Sequence, residues 1–217
     1  MRTIETRVFT YSELSDSAKS NARDRYRDSS AGDNFFAECV YDDAAEIGDI
    51  IGIDLRQTRK TEKDGSPLYT PTIFYSGFWS QGDGACFESS YRYKKGALSA
   101  LRNHIGGESK GDKELLRICK GLQDVQRKYF YRLQAKTKHS GHYYHSGCMR
   151  VSVDYVGDYV DRETDKGEDE ITQLLRDFAD WIYEQLETAY DWENSDDQIA
   201  ETILCNEYEF TEDGDRV

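Results

Sequence analysis

The sequence predicts an α+β fold in which an antiparallel or mixed β-sheet has flanking amphipathic helices. Two patterns lead to this prediction. Segments with the two-residue apolar alternation of strands follow one another without the regular strand-helix-strand order of a parallel sheet, and apolar stripes with helical spacing flank them. No Pro/Gly/Ser-rich linker interrupts the 217 residues. We therefore expect a single domain over residues 1–217, with an acidic helical C-terminal part from about residue 154.

The first part of the chain is predicted to contain two strands and, between them, two helices. The predicted elements are a strand over Arg7–Tyr11, a helix capped by Ser15 and reaching about Arg27, a helix from about Asn34 that Gly48 ends, a strand over Ile51–Arg59, and a turn at Asp64–Pro67.

An aromatic-rich β-hairpin is predicted next. Its strands, Ile73–Ser80 and Ala85–Tyr93, are separated by Gln81-Gly82-Asp83-Gly84, where glycine and aspartate permit a tight reversal. Alternation on the second strand places Phe87 and Tyr91 on one face and Glu88 and Arg92 on the other.

The second half of the chain is predicted to be mainly helical. A long amphipathic helix with a basic outer face covers Leu115–Leu133, and a strand follows over Met149–Val156. The longest apolar stripe predicts a helix over Glu170–Tyr190, and a shorter helix is expected from Asp196 to about Asn206.

Charge is distributed unevenly along the chain. Residues 154–217 contain 22 acidic and 4 basic residues, whereas residues 92–138 contain 13 basic and 4 acidic residues. Solvated helix faces explain such runs, and an acidic surface for a basic protein partner is the functional alternative. The net charge of −14 argues against nonspecific nucleic-acid binding.

The cysteines and the hydropathy bear on the compartment. The five cysteines are scattered and never form a CxxC pair, so we expect reduced and mostly buried thiols without a disulfide framework. Neither a charged-then-apolar leader nor a run of 18 apolar residues occurs, which predicts a cytoplasmic protein without a membrane association.

A ligand-binding cleft is the main functional hypothesis from the residues themselves. We expect residues 78–92 and 139–148 to face each other, combining stacking surfaces with a few polar groups and needing no cofactor. For any single ring, core packing is the alternative. The predicted ligand-binding residues are Phe78, Trp79, Gln81, Asp83, Phe87, Glu88, Tyr91, Arg92, His142, Tyr143, Tyr144 and His145.

Catalysis is the second hypothesis. His139, His142, His145 and Cys148 lie three residues apart and suggest a metal-dependent hydrolase that would also use Asp83 or Glu88. A spacing of three suits ligands on neither a strand nor a helix, and no HExxH, Walker or GxGxxG pattern supports this reading. Cys86 could serve as a nucleophile, although a small buried cysteine is the simpler interpretation.

Four sequence blocks resemble a group of tailed-bacteriophage proteins, some of which are labelled antitoxin-like. They are YSGFWSQGDGACFE (Tyr75–Glu88), HSGHYYHSG (His139–Gly147), RDFADWIYEQLE (Arg176–Glu187) and NEYEFTEDG (Asn206–Gly214). The resemblance implies a phage-encoded protein in the host cytoplasm that acts against a host defence or toxin component.

Taken with the residues, this favours a non-enzymatic inhibitor of a host factor. It would act through the aromatic cleft, holding a nucleotide-like ligand, or through the acidic surface, holding a host protein. Assembly into a homo-oligomer is left open.

Overall fold

The computed structural model describes residues 7–30, 34–61, 65–106, 109–156 and 164–217. It confirms the predicted α+β class, with six α-helices and antiparallel strand pairs in these residues. The chain forms two compact units, one of Met1–Ala37 with Thr188–Val217 and one of Glu38–Glu187. The single domain stays a prediction. No helix among the described residues is long and apolar enough to cross a membrane.

The smaller unit is built from the two ends of the chain. It contains β1 (Phe9–Thr10), α1 (Asp16–Ser30), α6 (Asp196–Cys205) and β10 (Glu209–Phe210), with β1 antiparallel to β10. The Ser15 hydroxyl accepts a hydrogen bond from the Ala18 amide, as the N-cap prediction requires. Ser195 caps α6 in the same way, through the Gln198 amide.

The larger unit contains the remaining strands and most of the helical residues. Its elements are α2 (Phe35–Ile51, which begins in the smaller unit), β2 (Ile53–Leu55), β3 (Gln57–Thr61), β4 (Pro67–Pro71), β5 (Ile73–Ser76), β6 (Gly84–Phe87), β7 (Ser89–Arg92), α3 (Ala97–His104), α4 (Lys110–Lys128), β8 (Leu133–His139), β9 (Met149–Tyr155) and α5 (Thr164–Glu193, which ends in the smaller unit).

Three extended segments of this unit, residues 53–61, 67–76 and 84–92, exchange partners at one point. On leaving it they pair as β2 with β7, β3 with β4, and β5 with β6. At the centre, three backbone hydrogen bonds close a ring: Arg56 N–H to Glu88 O at 2.8 Å, Glu88 N–H to Thr72 O at 3.0 Å, and Thr72 N–H to Arg56 O at 2.7 Å. We call this ring the three-strand junction.

β7 continues into a four-stranded antiparallel sheet of order β2-β7-β8-β9. One face of this sheet is apolar and buried, and α4 packs on it. Its buried residues include Ile53, Tyr91, Leu133, Ala135 and Met149. The alternation predicted for the second hairpin strand is thus observed within β7. The predicted strands themselves are wrong in extent, because Ala85–Tyr93 divides at Glu88 into β6 and β7 and the first strand ends at Ser76.

α4 and α5 form an antiparallel pair held by ion pairs at intervals along their length. The pairs join Lys110 to Glu184 (2.9 Å), Arg117 to Asp177, and Lys128 to Glu170 (2.8 Å). Glycine makes room for side chains between the helices, because a Cβ atom at Gly121 would lie 2.7 Å from Leu174 Cδ2. Part of the basic segment therefore neutralises part of the acidic segment.

Several predicted boundaries are wrong. α2 continues past Gly48 to Ile51 and is followed by Gly52, whose positive φ of 90° suits a helix end. α3 was not predicted, and the helix predicted to reach Leu133 ends at Lys128. Leu133 begins β8 instead. The predicted turn at residues 64–67 lies partly outside the described residues.

The end of α4 is fixed by Gln126, a fully buried polar residue. Its Nε2 donates to the backbone oxygen of Leu133 at 2.7 Å and to the Tyr91 hydroxyl at 3.3 Å, and its Oε1 accepts from the Leu133 amide at 3.2 Å. In the turn between Gln126 and Leu133, Phe130 and Tyr131 have positive φ values of 55° and 59°. Gln126 thus stabilises a sharp turn that non-glycine residues rarely adopt.

We predict that Gln126→Ala lowers the free energy of unfolding by about 3 kcal/mol, because it leaves buried backbone groups of Leu133 without partners. Urea denaturation measures the change. Gln123→Ala, at a half-buried glutamine on the same helix, is the matched control and should cost under about 1 kcal/mol. Equal losses from the two variants would show that the hydrogen bonds of Gln126 are not responsible.

Candidate functional site

The loop between β5 and β6 lies against the segment that connects β8 to β9. A Cβ atom at Gly82 would lie 3.4 Å from the ring of Tyr143, and one at Gly84 would lie 2.6 Å from Cβ of His145. Phe74 of β5 stacks on Tyr144, with ring centroids 5.5 Å apart. The structure therefore brings together the two segments that the sequence suggested would face each other.

Asp83 organises the first of these loops. Its Oδ2 accepts hydrogen bonds from the amides of Trp79 (3.1 Å) and Ser80 (2.6 Å), and its own amide donates to the Ser80 oxygen. From α5, the Tyr183 hydroxyl donates to the Gly77 oxygen at 3.0 Å. The carboxylate predicted to contact a ligand thus holds the loop that carries Trp79.

Four side chains with rings remain exposed on the two loops. Trp79 is 75% exposed, Tyr143 57% and Tyr144 36%, and His142 is also exposed. We call these four residues the aromatic loop surface. Gln81, which is exposed as well, lies in the same loop as Trp79.

The other predicted ligand-binding residues have different positions. Phe87 and Tyr91 are fully buried core residues, and Phe78 is 9% exposed and packs against Tyr75 and Tyr183. These rings fill the core and do not line an open cleft. We therefore leave them out of the surface.

Two of the three charged residues predicted for the cleft, Glu88 and Arg92, lie outside the loops. The Glu88 carboxylate accepts from Arg56 at 2.6 Å beside the three-strand junction, so it has a structural partner. Arg92 is exposed at the end of β7.

His145 has both ring nitrogens occupied within its own segment. Its Nδ1 accepts from the Gly147 amide at 3.1 Å, and its Nε2 lies 3.4 Å from the sulfur of Cys148. A neutral imidazole that accepts at Nδ1 carries its proton on Nε2, directed at that sulfur. In this arrangement His145 cannot take a proton from Cys148, so the pair lacks the geometry of an activated nucleophile.

The alternative metal site at His139, His142 and His145 is not supported. His139 Nε2 lies 3.2 Å from the Tyr143 backbone oxygen, to which it donates a hydrogen bond. The described residues, which include all four histidines, contain no group of three or more His, Cys, Asp or Glu side chains that could hold a metal ion. The histidines instead pack with aromatic rings of the same loops.

The five cysteines are free thiols with different accessibility. Cys39 and Cys205 are exposed, so the expectation of mostly buried thiols fails for these two. Burial raises the pKa of Cys86 to about 12 and that of Cys119 to about 11. Cys86 therefore stays protonated near neutral pH and is a poor nucleophile.

Two residues of α5 belong to the site although sequence reasoning missed them. Tyr183 packs on Phe78, and the Asp180 carboxylate lies near the Ser146 side chain. Although the residue is exposed, partial desolvation of its carboxylate raises the Asp180 pKa, and Asp177 and Glu184 add to the effect. The available signal in the sequence was that Asp180 and Tyr183 place polar groups beside the apolar stripe of α5.

The loops lie within a region shared with other proteins. Residues 36–196 match a family described as Domain of unknown function (DUF8835). The chain belongs to this family. The family region contains both loops and the whole of the larger unit. No curated protein and no solved structure matches the chain.

We predict that Cys86 and Cys119 resist alkylation in the folded protein. At mildly alkaline pH, iodoacetamide should modify Cys39 and Cys205 first, because those two residues are exposed to the reagent. Peptide mass spectrometry over time, with and without urea, measures each site. Modification of Cys86 in the native protein as fast as Cys205 would contradict its assignment to the core.

We also predict that Gly84→Ala separates the two loops. The added Cβ atom overlaps the backbone and Cβ of His145, so the free energy of unfolding should fall by about 2 kcal/mol. Hydrogen exchange should rise in residues 140–148. Gly106→Ala is the control, since its Cβ would meet only Asp112 Oδ2 at 3.7 Å. Unchanged exchange in residues 140–148 would mean that the contact does not order the segment.

Proposed function

We propose that the chain is a non-enzymatic binding protein whose aromatic loop surface holds a partner protein. The observation that carries this is the exposure of Trp79 and Tyr143 on loops that are themselves tightly ordered. Large exposed rings are costly to leave in water and are enriched among residues that dominate binding energy.

Order in the loops supports a binding role. Asp83 fixes the backbone around Trp79, and the ring of Tyr143 lies over Gly82. Side chains held before binding lose less conformational freedom when a partner arrives. The surface is therefore suited to a partner that contacts it without rearrangement.

The position of the rings favours a protein over a small nucleotide-like ligand. The cleft predicted for such a ligand included Phe78, Phe87 and Tyr91, which are buried in the core. The rings left exposed belong to loops, and loops on a rigid scaffold commonly carry protein-binding residues.

The resemblance to tailed-phage proteins leads us to propose that the partner belongs to the host and that binding inhibits it in the host cytoplasm. The acidic C-terminal part is the weaker candidate for this contact. Glu170, Asp177 and Glu184 of α5 already pair with bases of α4, and Asp196 pairs with Arg23 and Arg27.

We predict that Trp79→Ala and Tyr143→Ala each weaken partner binding at least tenfold, because truncation of such anchors commonly costs about 2 kcal/mol or more. Tagged protein captures partners from host lysate, mass spectrometry identifies them, and biolayer interferometry measures the affinity. Trp192→Ala, at a 62% exposed tryptophan outside the aromatic loop surface, is the matched control.

The Trp79 and Trp192 variants should keep the unfolding midpoint of the parent protein, because the truncated rings are largely exposed. Equal binding by the Trp79 and Trp192 variants would contradict the proposal. Recovery of the chain alone, together with a dimer mass in light scattering, would assign the surface to self-association and overturn the host-directed function.

A further inference from the structure

The four-stranded sheet has a second face that is polar and open. Side chains alternate across a strand, so the residues between the buried positions of β7, β8 and β9 point to this face. Lys136, Lys138, Arg150 and Ser152 are exposed there, and Ser90 is half-buried. We call this the open sheet face.

Like charges are neighbours on this face. Lys138 of β8 is directly opposite Arg150 of β9 in the strand register. Lys136 lies between Ser90 of β7 and Ser152 of β9. Side chains directly opposite in an antiparallel pair have Cβ atoms about 5 Å apart, and like charges at that spacing repel.

Within the part of the chain that the structure describes, these bases differ from three bases of α4 that have acidic partners. Lys110, Arg117 and Lys128 of α4 each pair with a carboxylate of α5. Within the described residues, Lys136, Lys138 and Arg150 form no ion pair, although the chain carries 42 acids and 28 bases.

The acids of the same face lie to either side of this group. Asp54 of β2 is opposite Ser90, and Asp154 of β9 is opposite Gln134 and diagonal to Lys136. Glu88, two residues before Ser90, pairs with Arg56. Among the described residues, none of these three acids forms an ion pair with Lys136, Lys138 or Arg150.

We propose that the open sheet face binds the phosphodiester backbone of a single-stranded nucleic acid. Lys136 and Lys138 follow one strand about 6.6 Å apart, a spacing suited to an extended anionic chain. Ser90 and Ser152 add hydroxyl donors on both sides of Lys136, and phosphate oxygens accept from such groups. The named face residues offer no apolar side chain on which a peptide would pack.

This proposal concerns a surface other than the aromatic loops and does not depend on the proposed function. It differs from the expectation drawn from the net charge, which stays a prediction. A positively charged sheet face can contact a few phosphates at low salt even when distant acids outnumber the bases, and the binding should be steeply salt-dependent.

The test uses a fluorescein-labelled oligothymidylate of about 12 nucleotides and fluorescence anisotropy over a range of salt concentrations. For single strands the slope of log K against log salt is about −0.7 per phosphate contact. The variant Lys136→Gln/Lys138→Gln should therefore bind about tenfold more weakly at low salt, with a slope less negative by about 1.4.

Lys113→Gln/Lys120→Gln is the matched control. It removes the same charge from exposed lysines of α4, on the other side of the sheet, and should leave the slope unchanged. Trp79→Ala should also retain oligonucleotide binding, which separates this test from that of the proposed function.

Three outcomes would overturn the proposal. Two are the absence of oligonucleotide binding at low salt and an equal loss of affinity in both lysine double variants. The other is binding of poly-glutamate with the same salt slope and the same dependence on Lys136 and Lys138, which would assign the face to an acidic peptide.

Discussion

The three-strand junction is the constraint on which the larger unit depends. Arg56, Thr72 and Glu88 each give and receive one backbone hydrogen bond, so the point where three strands separate leaves none of these groups without a partner. The junction directs one strand pair into the four-stranded sheet and another, β5 with β6, toward the aromatic loops. A third pair, β3 with β4, extends as a largely exposed ribbon. Both proposed surfaces thus take their positions from one ring of hydrogen bonds.

Local patterns predicted most helices and the hairpin, because capping residues and apolar periodicity act over a few neighbours. They failed where a distant contact decides the outcome. Leu133 continues the helical spacing of Leu122 and Val125, yet Gln126 bonds its backbone and starts a strand there. The sequence also could not predict that the strand is interrupted at Glu88, because the interruption follows from backbone hydrogen bonds to Arg56 and Thr72, which are distant in the sequence.

The site was predictable as a pair of segments and less so as a list of residues. Aromatic and glycine content identified the two loops. Alternation placed Phe87 and Tyr91 on one face of their strand but did not say that this face is buried. The role of Asp83 within its own loop and the approach of Tyr183 from α5 require the folded chain. The ion pairs also require the folded chain, because the composition shows a basic and an acidic segment but does not show that α4 and α5 pair them.

The ion pairs between α4 and α5 have a consequence for how this family can vary in length. One inserted residue in a helix turns everything beyond it by about 100°, so a single insertion between Lys110 and Lys128 would move the later bases away from their carboxylates. The same holds between Glu170 and Glu184. Relatives that keep these pairs should therefore differ in length in the connections between elements, while the two helices conserve their residue count across the paired stretch.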